Sequence, residues 1–99
     1  MAEHSQRPAG LLAQRVGEVL HYVWDPIGVS GIPQARDEYD MYVLSVVSLL
    51  ENRVSASSLA AHLNSIAVDR MGLQSNLEQS TQVANILLDW QDFLHSSHA

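Results

Sequence analysis

The stretch Trp24-Asp25-Pro26-Ile27-Gly28-Val29-Ser30-Gly31-Ile32-Pro33-Gln34-Ala35-Arg36-Asp37-Glu38-Tyr39-Asp40 divides the chain. It gathers two of the three prolines and two of the five glycines, so it reads as a connection between regular elements. Pro26 disfavours helical backbone at Asp25, so a helix arriving from the N-terminal side must end near Trp24. Asp37 is a good N-cap for the next helix, and Asp40, three residues on, can reach back as a capping-box partner in place of the usual Glu or Gln. On both sides the apolar residues recur at helical spacing. The expected fold is all-α: four helices in an antiparallel-type bundle, with a long first connection of about twelve residues and a single domain over residues 1–99.

Upstream, Leu12, Val16, Val19, Leu20 and Val23 fall at i, i+4, i+7, i+8 and i+11, one apolar stripe on a helix that starts near Pro8. Arg15, Glu18 and His21 lie elsewhere on its circumference. Downstream, Tyr39, Val43, Val46, Val47 and Leu50 repeat the same spacing. Tyr42 and Leu49 widen that stripe, which predicts that the second helix is the most buried. Glu51-Asn52-Arg53 ends it. Ser55 reads as the N-cap of a third helix, with Ser57 as the competing choice. Leu59, Leu63, Ile66, Ala67 and Met71 form its stripe, and Gly72 is placed to close it in the left-handed conformation. Asn76 and Gln79 resemble a capping box ahead of a fourth helix. Its expected core face is Val83, Ile86, Leu87, Trp90 and Leu94, with Phe93 beside them. Residues 1–7 and 95–99 are expected to fray.

Composition narrows the functional classes. A chain of 99 residues can bury one modest core. The net charge is −6, with five arginines and no lysine, which disfavours nucleic acid and anionic membranes as partners and permits a cationic protein. No cysteine is present, which removes disulfides, thiolate metal sites and cysteine nucleophiles. The longest apolar run, Tyr42 to Leu50, is about half of what a bilayer span requires. The N-terminal residues lack a basic-then-apolar signal pattern. A soluble, cytoplasmic protein is expected.

No catalytic constellation stands out. Gly28-Val29-Ser30-Gly31 lacks the glycine spacing of a nucleophile elbow, and no strand precedes it. No glycine-rich phosphate loop of Rossmann or Walker type occurs. Asp89, Asp92 and His95 fall at i, i+3 and i+6 and could share a helix face. A di-metal bundle instead needs Glu-x-x-His pairs on facing helices, and none occurs. These three residues read more simply as a solvated face, and no metal, cofactor or catalytic residue is expected.

The dividing stretch supports two readings. Structurally, Trp24 buries its ring, Asp25 accepts from the backbone N–H groups that follow it in a turn set by Pro26, and Gly28 completes that turn. Ile27, Val29 and Ile32 fold over the edge of the core. Functionally, Asp37, Glu38 and Asp40 with Tyr39 or Tyr42 form an acidic and aromatic patch for a cationic partner.

The pattern Trp24-Asp25-Pro26-Ile27-Gly28, then Glu38-Tyr39-Asp40 opening a helix, then Asp69-Arg70-Met71-Gly72 closing one, resembles small bacterial all-helical proteins of the YugE-like kind. The resemblance spans about two thirds of the chain. It departs at the end of the third helix, where Ile66-Ala67-Val68-Asp69-Arg70-Met71 replaces aromatic-rich sequence. It implies a bacterial origin and an all-α fold, and it brings no activity. Analogy with small acidic immunity proteins points the same way as the charge. The expectation is a non-catalytic protein-binding or immunity-like module. A homo-oligomeric structural protein and a metal-dependent enzyme are the alternatives.

Overall fold

The computed structural model describes residues 8–28, 31–32 and 39–96. Those residues form four helices and no strand. Helix α1 spans Pro8–Val19 and runs on as a π-helical turn, Leu20–Trp24. Helix α2, Val43–Glu51, is led in by a 3-10 turn, Asp40–Tyr42. Helix α3 spans Ala56–Ser65 and continues as a second π turn, Ile66–Arg70. Helix α4 spans Leu77–Ser96, so His95 is helical where fraying was expected. The expected cap at Asp37 lies outside the described residues.

The first π turn corrects the stripe on α1. Asp25 N–H bonds Leu20 O at 2.9 Å, five residues back. A turn closed in this way holds more residues than an α turn, so every residue beyond it lags in angle by about one position. Leu12, Val16, Val19 and Leu20 are buried as the spacing predicts. Val23, expected in the stripe, is 45% exposed, while His21, expected outside it, is only 2% exposed. Trp24 rotates into the core in place of Val23. The imidazole Nδ1 of His21 is buried and meets no hydrogen-bonding partner among the described residues.

The local capping chemistry follows the sequence closely. Ser55 Oγ accepts from Ser58 N–H at 3.1 Å, which satisfies one of the orphan donors at the start of α3. Asn76 Oδ1 accepts from Gln79 N–H at 3.2 Å, and Asn76 Nδ2 donates back to Gln79 Oε1 at 3.5 Å, opening α4. Gly72 adopts φ +68° and lets Leu73 N–H return to Ala67 O at 2.9 Å, closing α3. At the end of α2, Arg53 takes the left-handed position with φ +57°, which costs a non-glycine residue on the order of 1 kcal/mol. Its guanidinium meets His95 Nε2 at 3.1 Å.

The core is assembled around α4, which packs on α3 most extensively, then on α1, and lightly on α2. Ser80, Val83, Ala84, Leu87, Gln91 and Leu94 face inward. Of these, Val83, Ala84, Leu87 and Leu94 join Leu59, Leu63 and Ile66 of α3 and its π turn, Leu12, Val16 and Leu20 of α1, and Val46 and Leu50 of α2 in one buried cluster. Each of these large side chains contributes about 1.5–3 kcal/mol on leaving water. The polar Gln91 is accommodated because its amide donates to Leu50 O, an acceptor near the end of α2. Helix α2 is not the most buried element: its lead-in Met41 and its own Leu44 point outward.

Candidate functional site

The dividing stretch forms a hydrogen-bonded corner around Trp24. Trp24 is 2% exposed, and its ring meets Tyr39 at a centroid distance of 5.5 Å and Tyr42 at 6.4 Å. Its carbonyl, left free at the helix end, accepts from Gln79 Nε2 at 3.1 Å. The Tyr39 hydroxyl donates to Asp25 Oδ1 at 2.8 Å and accepts from Ile27 N–H at 3.2 Å. The turn over Pro26 is closed by the Asp25 backbone carbonyl, which accepts from Gly28 N–H at 3.2 Å. Asp25 sits at φ +32° and Gly28 at φ +73°, so the corner concentrates left-handed backbone. Glycine takes that conformation without penalty, and aspartate tolerates it better than most residues.

The described residues of the expected acidic patch differ in exposure. Tyr39 is 2% exposed and spends its hydroxyl on the corner, so it offers a partner no surface. Tyr42 is half-buried against Trp24, and Asp40 is exposed. Asp37 and Glu38 lie outside the described residues. Ile27 and Ile32, expected to cover the core, are exposed; Val29 lies outside the described residues.

No protein-family model, no curated protein and no solved structure matches the chain.

Asp89, Asp92 and His95 do not assemble into a metal centre. His95 faces Arg53, and no group of three His, Asp or Glu side chains among the described residues converges to hold an ion. His62 on α3 is half-buried, and its Nε2 lies 3.1 Å from Ser45 Oγ of α2. Burial holds its imidazole below the ordinary value of 6.5, because desolvation disfavours the charged form. No helix of the described residues is long and apolar enough to cross a membrane.

An apolar surface lies on the outer flank of α4. Ile86, Asp89, Trp90 and Phe93 line an open cleft of about 290 Å³. Phe93 is 63% exposed and stands edge-on to Trp90, with centroids 5.8 Å apart and an interplanar angle of 83°. The Arg15 guanidinium of α1 lies 5.6 Å from the Trp90 ring centroid and pairs with Glu18. The sequence pattern assigns Ile86 and Trp90 to the core. They instead stand at its edge, because the inward line of α4 runs through Ser80, Ala84, Leu87 and Gln91. The legible signal was the width of the apolar arc, which exceeds what one buried face needs.

Proposed function

We propose that the chain is a non-catalytic protein-binding module for a cationic partner, in the manner of an immunity protein, and that it works in the cytoplasm as an antiparallel-type bundle. The observation that carries this reading is the aromatic flank of α4, where exposed Phe93 and half-buried Trp90 lie beside Asp89 and Asp92. Aromatic anchors next to charges are the composition of binding hot spots. The acids Asp37, Glu38 and Asp40 with Tyr42 form a second contact, and the exposure of Asp40 supports it. The antiparallel sense of α1 and α4 is supported by Arg15 over Trp90 and by the Trp24 carbonyl on Gln79, which advance in opposite directions along the two helices. The likeness to YugE-like proteins belongs to the same reading and adds no chemistry to it.

The test compares capture by folded variants. Immobilised wild-type protein is expected to retain a basic protein from the source cell, and Phe93→Ser and Asp40→Arg are each expected to weaken retention while leaving the melting temperature unchanged. Retention unaffected by both substitutions would defeat this reading.

A second reading, a homo-oligomer, is favoured by Met41 and Leu44. They are 73% and 77% exposed, lie one turn apart, and are followed by the exposed, uncharged Ser45 and Ser48. Sedimentation showing a dimer that Leu44→Glu dissociates would support it, and a monomer at high concentration would remove it.

A further inference from the structure

The cleft on α4 has a shape and a charge that select its occupant. From Ile86 to Phe93 it extends along about two helical turns, the span over which a docked amphipathic helix presents anchors at i, i+3, i+4 and i+7. Its apolar walls are Ile86, Trp90 and Phe93. Its fourth lining residue is acidic: Asp89 is exposed and makes no ion pair among the described residues. Asp92, one turn further on, is also exposed and unpaired among the described residues, but lies outside the lining. The face of Trp90 already receives a guanidinium, that of Arg15.

We infer that this cleft docks a cationic amphipathic helix of a partner protein, its apolar face against Ile86, Trp90 and Phe93 and its basic flank on Asp89, with Asp92 one turn beyond the cleft. The inference rests on the protein-binding reading above and names the occupant of its principal surface. A second copy of this chain fits poorly. A second copy would bring a net charge of −6 to a surface where Asp89 and Asp92 already stand without an ion pair among the described residues. A neutral apolar helix would gain nothing from either carboxylate. A basic flank meets them, and such rim pairs govern selectivity more than raw affinity.

The test uses two synthetic helical peptides with the same leucine register, one flanked by lysine and arginine, the other by glutamate. Each is titrated into the full chain and followed by fluorescence anisotropy. The cationic peptide is expected to bind at least about tenfold tighter than the acidic one, with an affinity that falls as salt is raised. Phe93→Ser, and separately Asp89→Asn with Asp92→Asn, are each expected to weaken it about tenfold. All three positions are exposed, and unchanged thermal melts confirm that the variants fold. Binding that survives Phe93→Ser but is lost in Leu44→Ser or Asp40→Asn would move the docking surface to α2, overturning this inference while the protein-binding reading stands. Equal binding of the two peptides would overturn the assignment of a cationic occupant. A dimer that Phe93→Ser dissociates would make the occupant a second copy and overturn it as well. If neither peptide binds, the cationic helix is excluded, and the protein-binding reading then stands or falls on the capture experiment alone.

Discussion

Trp24 and Trp90 carry the same indole into two different settings. Trp24 ends α1, is almost wholly buried, and is held by two tyrosine rings and by Gln79 on its carbonyl. Trp90 sits midway along the outer flank of α4, half-buried, with an arginine over its face and an exposed phenylalanine at its edge. The first is surrounded by groups that are already satisfied, and removing any of them leaves another without its partner. The second has a neighbour, Phe93, that is largely exposed and can meet another molecule. The difference teaches that Trp24, Asp25 and Tyr39, from the stretch richest in sequence signals, are used by the fold itself. The better candidate for function lies on a helix that reads, in the sequence, as ordinary core.

Three measurements break or sharpen that contrast. The largest effect is expected for Trp24→Ala, which should destabilise the protein by about 3–5 kcal/mol in denaturant unfolding, as large aromatic truncations do. A loss below about 1 kcal/mol would mean that the corner does not anchor the fold. Tyr39→Phe comes next. It keeps the ring but strips the hydroxyl from Asp25 Oδ1 and Ile27 N–H, so a loss of about 1–3 kcal/mol is expected. Chemical unfolding indistinguishable from wild type would show that Asp25 and Ile27 find other partners. Trp90→Ala should cost about 1–2 kcal/mol, clearly less than Trp24→Ala, because part of its ring is already in water. Equal costs at the two tryptophans would abolish the distinction.

The smallest effect belongs to His62, in neither region. Its folded-state pKa lies below 6.5, so the unfolded chain binds the proton more readily. The neutral form's contribution is complete above that value and declines as pH falls below it. The decline should be slight, since the side chain is only half-buried. A pH series of melts on His62→Gln should lose that part of the slope. A slope left unchanged by the substitution would assign it to other groups.

Much of the fold is legible in the sequence because its signals are local. Ser55, Gly72 and the Asn76–Gln79 pair each act within one turn, and each appears where the residue types place it. The helix end at Trp24 follows from Pro26 in the same way. What escapes is phase. A π turn adds a residue to the helix, and no periodicity upstream announces that Val23 turns out and His21 turns in. The inward line of α4 is set by small and polar residues, Ser80, Ala84 and Gln91, which apolar counting passes over. For the same reason Tyr39 reads as both stripe and patch. Only the position of Asp25, fourteen residues away, assigns its hydroxyl to the corner.

The central claim, that one tryptophan holds the fold and the other faces a partner, is tested most directly by the two indole N–H signals in a heteronuclear NMR titration with the cationic helical peptide. Assignment by Trp24→Phe and Trp90→Phe identifies each signal. The account predicts that the Trp90 signal shifts progressively to saturation while the Trp24 signal stays in place. A shift confined to Trp24, or a saturating titration that moves neither indole, would contradict it.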